Sequence, residues 1–84
     1  MKAREAINYL SDPENWLDFD AVKRARAICA AASDVWEARR AVLALPTPIE
    51  SHGQAWVEWR IEQTRLALEL SKAEARLIAL EDAQ

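Results

Sequence analysis

Apolar residues along this chain recur at the three- and four-residue spacing of a helix, with no sustained alternation of the kind a strand requires. Ala3, Ala6, Ile7 and Leu10 share one helical face and predict a short first helix over about residues 2–10. Asp12 followed by Pro13 then supplies an N-cap and a proline at the first helical position, so a new helical run starts there. It is predicted to reach residue 45, with a bend near Asp18. Within it Val22, Cys29, Trp36 and Leu43 recur every seven residues, flanked by Ile28, Val35 and Val42 and by the small Ala25 and Ala32.

Leu45-Pro46-Thr47-Pro48 ends this run, because proline lacks an amide donor and disfavours α conformation in the residue before it. The last helix is predicted over residues 50–83. Thr47-Pro48-Ile49-Glu50 has the form of a capping box, whereas Gly53 favours a later, firm start near Gln54. Taking the connection as short, the two long helices should lie antiparallel, with Leu43 opposite Gly53, Trp36 beside Trp59, Cys29 near Leu66 and Leu70, and Phe19 near Leu77. The predicted fold is all-α: an antiparallel, coiled-coil-like hairpin of two long helices with a short N-terminal helix, a three-helix arrangement in one domain.

The last helix has an apolar seam through Trp56, Trp59, Gln63, Leu66, Leu70, Ala73, Leu77 and Leu80. Trp36, Trp56 and Trp59 are expected to form an aromatic core cluster near the turn, and Trp16 either to cover the far end near Leu80 or to stand partly exposed. Gln63, the one polar seam position, is expected opposite Ser33. At 3.6 residues per turn, Val57, Ile61, Leu68 and Ala75 fall within about 40° of one another, nearly opposite the seam. That second stripe runs roughly 27 Å, longer than a ten-residue helix covers. It is the candidate interface, and a homodimer or a complex with another protein is the expected use.

Composition supports a folded chain: of 84 residues 51% are hydrophobic and 30% charged, with both signs mixed. The net charge of −3 gives no general attraction to nucleic acid or to an anionic membrane. No apolar stretch approaches the roughly 20 residues that span a bilayer. Cys29 is the sole cysteine, and the first residues lack the apolar core of a signal peptide, so a cytoplasmic location is expected. Ala- and Arg-rich usage is compatible with a bacterial or phage gene.

Candidate chemistry is sparse. Cys29 and His52 are the only soft ligands, and the hairpin separates them, so no metal site is expected. The carboxylates mostly lie three or four residues from a Lys or Arg, as Glu69 does from Lys72, which is the pattern of a solvated helix face. No phosphate-binding glycine loop, nucleophile elbow or metalloprotease motif occurs, so neither catalytic residues nor a cofactor or small-molecule substrate is expected. Lys23, Arg24 and Arg26 form the densest basic cluster and carry the alternative of a nucleic-acid-associated protein, although Asp18 and Asp20 offset it. A helical subunit of a larger complex is the remaining alternative. The leading expectation is a non-catalytic adaptor, inhibitor or assembly subunit acting through its helix faces.

Overall fold

The computed structural model describes residues 1–83 and is all-α. Its helices are α1 (Ala3–Ser11), α2 (Phe19–Ala44) and α3 (Gln54–Asp82), with a 3-10 turn at Pro13–Leu17 between the first two. The Asp12 side chain accepts a hydrogen bond from the Glu14 amide at 3.0 Å and starts the 3-10 turn, with Pro13 behind it. At the predicted bend the chain breaks outright: Asp18 is extended, with φ −95° and ψ 96°, and its carboxylate caps α2 by accepting from the Ala21 amide at 3.2 Å.

The capping box at Thr47–Glu50 is not used, and α3 starts at Gln54 behind Gly53. Gly53 has φ 89° and ψ −176°, a conformation that a Cβ makes costly, which explains why the chain's one glycine stands there. Pro46 and Pro48 keep the nine residues before α3 out of a helix, and Leu45 leaves α2 extended at ψ 119°. The connection is therefore a strap, long enough when extended to reach about 30 Å, and not a tight turn.

That strap sets the relative position of the long helices, and the tight-turn register is corrected accordingly. Asp34 pairs with Arg76 at 3.8 Å, and the Arg24 guanidinium donates to the Ala83 carbonyl, so the helices are antiparallel but displaced by about ten residues from the alignment that a short turn imposes. Continuing these pairs brings Ala44 level with Gln63 to Leu66. The first turns of α3, Gln54 to about Glu62, project beyond the end of α2 by roughly 13 Å. The long axis of the molecule is accordingly 58 Å, although α3 by itself spans only about 43 Å.

The core lies where three elements meet, at Ala6 of α1, Ala25 and Ile28 of α2, and Leu77 and Leu80 of α3. Ala6 and Ala25 are small enough to let α1 approach α2 closely, and Ile28 is the largest fully buried side chain. Farther along α2, Ala31 and Val35 are buried. The α1 end is latched to the end of α3: the Ala3 amide donates to the Glu81 carboxylate at 2.8 Å, and the Met1 ammonium donates to the Glu81 carbonyl at 3.0 Å. A carboxylate thus sits at the positive end of α1 and an ammonium at the negative end of α3.

Two stability outcomes follow from these positions. Ile28→Ala should cost about 2–5 kcal/mol in urea unfolding, since it empties the middle of a small core. Gly53→Ala meets nothing within 4 Å of the added Cβ and should still cost about 1–3 kcal/mol, through backbone strain alone.

Candidate interaction surfaces

α2 carries two apolar series offset by one residue, or about 100° around the axis. Ile28, Val35 and Val42, with Ala31 and Ala38 between them, are buried or half-buried. The other series, Val22, Cys29, Trp36 and Leu43, was expected to be the hairpin seam and instead starts beneath α1. Val22 is buried and Cys29 packs against the Ala6, Ala25 and Ile28 cluster, but Trp36 is 65% exposed and Leu43 79% exposed. A nine-residue α1, about 14 Å long, ends before it reaches them. Between Ile7 of α1 and Trp36 a groove remains, floored by Cys29, Ala32 and Ser33 and edged by Glu37 and Arg40.

The predicted aromatic cluster is therefore corrected to a pair. Trp56 and Trp59 lie with ring centroids 4.8 Å apart and planes tilted by 32°, on the projecting part of α3. Trp36 belongs to the α2 flank, because the ten-residue offset carries it away from Trp59. Trp59 Nε1 is out of solvent without an acceptor among the described residues. Of the two positions expected for Trp16 the exposed one is found: it is more than half exposed, and its Nε1 donates to the Leu10 carbonyl at 2.9 Å. Phe19 is likewise exposed, since α2 starts beyond the end of α3.

On α3 the second stripe is open. Val57, Ile61 and Leu68 are each more than half exposed, and Ala75 is exposed. Ile78, about 60° around the axis from Val57 and Ala75, flanks them and is equally exposed. Its place three residues beyond Ala75 and one heptad beyond Ser71 is the sequence signal that marks it. α1 packs on α2 and the end of α3, so it leaves this stripe uncovered from Val57 to Ala75. Thr64, inside the stripe, donates its hydroxyl to the Arg60 carbonyl at 2.8 Å, so its polar atom is bonded within its own helix.

The charged candidates are dispersed. Arg24 donates to the Ala83 carbonyl, and Lys23 and Arg26 are exposed. Cys29 lies beside the α1 contact and His52 in the exposed strap at the other end of α2. No group of three or more His, Cys, Asp or Glu assembles among the described residues, and no described helix is long and apolar enough to cross a membrane.

Glu62 and Arg65 make a two-pronged contact on α3, with Arg65 Nε donating to one carboxylate oxygen at 3.1 Å and a terminal guanidinium nitrogen to the other. Arg65's hydrogen bonds, and with a smaller effect its charge, hold the Glu62 carboxyl below the ordinary carboxylate range. Such a group adds stability above its unfolded pKa, and that contribution is lost as pH falls through the folded value. Arg65→Ala should therefore raise the Glu62 pKa in a carboxyl NMR titration, and the stability difference between variant and wild type should vanish at acid pH.

No family model, curated protein or solved structure matches the chain.

Proposed function

We propose that this chain is a non-catalytic interaction protein, an adaptor, inhibitor or assembly subunit, that binds other protein through exposed helix faces. The observation that carries this reading is the pair of uncovered apolar strips on its two long helices: Trp36 and Leu43 on α2, and Val57, Ile61, Leu68 and Ile78 on α3. Large apolar side chains arranged in rows, and not scattered singly, are the mark of a surface that another molecule covers. Trp36 beside the Cys29 and Ala32 groove has the form of an aromatic anchor, with Glu37 and Arg40 as a polar edge. A helix laid along such a groove would make contact every third or fourth residue. The proposed location is the cytoplasm, and a bacterial or phage origin is in keeping with the composition.

Affinity capture from native lysate with wild type and Trp36→Glu tests the α2 face. The expected outcome is a stoichiometric protein retained by wild type and lost by the variant, with the far-UV circular dichroism of the two unchanged. Identical captured proteins for both would overturn the assignment of this face.

A further inference from the structure

The outer stripe of α3 has a polarity that identifies its occupant. Read as a heptad seam it runs Val57, Ile61, Thr64, Leu68, Ser71, Ala75 and Ile78, and its bulk is uneven. Val57 and Ile61 stand in the first half, while Ser71 and Ala75 stand in the second. If a second copy of α3 is laid antiparallel about a two-fold axis near Leu66, the large side chains from Val57 to Leu68 each meet a smaller one, and Ile78 falls level with Gln54 at the rim. Val57 meets Ala75 of the second copy, Ile61 meets Ser71, and Leu68 meets Thr64, whose hydroxyl is already bonded to its own helix. Ala67 faces its own counterpart beside the axis, so the helices can approach closely at the centre. Laid parallel, Val57 and Ile61 would meet their own counterparts and Ser71 and Ala75 theirs, which leaves the seam underfilled between Leu68 and Ile78.

The charges that flank the stripe reverse sign along the helix in the same way. On one flank Arg60 is followed by Glu74, and on the other Glu58 is followed by Lys72. Antiparallel pairing about the same axis sets Arg60 against Glu74 and Glu58 against Lys72 of the second copy, each twice by symmetry. Parallel pairing sets Arg60 toward Arg65, two like charges. The one like-charged meeting in the antiparallel arrangement, Arg65 with its counterpart at the axis, is weakened because each Arg65 is already folded onto Glu62. Size and charge are independent properties of the sequence, and both select the same orientation.

We infer that α3 pairs with a second copy of itself, antiparallel and centred near Leu66, to form a two-fold symmetric dimer through the stripe from Val57 to Ile78. This deepens the reading of the exposed α3 strip as an interaction face by naming what covers it. It is independent of the α2 groove, which stays open in the dimer for a different protein. Each chain contributes α3 to a central helix pair, with its own α2 on the outside of the assembly.

Sedimentation equilibrium at micromolar concentration should give the mass of two chains for wild type and of one chain for Leu68→Glu, which alters an outward position and leaves the circular dichroism unchanged. Glu58→Lys should weaken dimerisation about tenfold, and Glu58→Lys combined with Lys72→Glu should restore it. Orientation is read by disulfide formation in a Cys29→Ala background. A mixture of Val57→Cys chains and Ala75→Cys chains should cross-link, and Val57→Cys chains by themselves should not. A wild-type mass of one chain, a mass unaffected by Leu68→Glu, a double charge reversal that fails to restore, or cross-linking of Val57→Cys chains alone would overturn the inference. A single-chain mass would leave the Trp36 capture result standing, so the two readings fail separately.

Discussion

A mismatch of length governs this molecule. α2 has 26 residues with two apolar series on adjacent flanks, and it therefore calls for two neighbours along its whole length. α3, at 29 residues, is long enough to serve one flank, but α1 has only nine residues for the other. The three elements meet only where all are present, around Ala6, Ala25, Ile28, Leu77 and Leu80. Beyond that point no described element covers this flank of α2, and Trp36 and Leu43 are largely exposed. Six hydrophobic residues among those described are buried, which is a thin core even for a small domain.

The strap between α2 and α3 compounds this. A tight connection would have put the helices end to end in register and folded the Trp56 and Trp59 pair against Trp36. The extended run through Pro46 and Pro48 instead lets α3 begin well past the end of α2, so the two tryptophans sit on a projecting tip. The offset is held at the other end by polar contacts that are local and directional: Arg24 on the Ala83 carbonyl, Asp34 with Arg76, and Glu81 on the start of α1. Such exposed contacts add little stability each, and they agree in register with the packing of Leu77 and Leu80 against Ala25 and Ile28. The apolar surfaces left open by the length mismatch and the offset are the ones that an interacting chain has available.

Much of the fold was legible in the residues. The three helices, the start of a new run at Asp12 and Pro13, the interruption near Asp18 and the late start of α3 behind Gly53 all follow from capping chemistry and from the backbone limits of proline and glycine, which act within a few residues. The open stripe of Val57, Ile61, Leu68 and Ala75 was legible for a similar reason, since a helix that is apolar on two opposed faces cannot hide both against one neighbour. Ile78 is exposed as well, but at 3.6 residues per turn it lies about 60° from Val57 and Ala75, outside the arc that marks the stripe in the sequence.

What the sequence by itself determined, then, is where helices begin and end and which faces of each are apolar, because these depend on local conformational energies and on a fixed angular period. Which face of α2 meets which neighbour was decided only in three dimensions. Val22, Cys29, Trp36 and Leu43 repeat as regularly as Ile28 and Val35, and periodicity cannot rank two series 100° apart. The choice depends on how α1 docks through Ala6 and on how far the strap shifts α3, both of which are long-range outcomes of packing. Hence Trp36 left the predicted aromatic cluster while Trp56 and Trp59 remained a pair: neighbours one helical turn apart are set by the helix itself, and partners across the hairpin by its register.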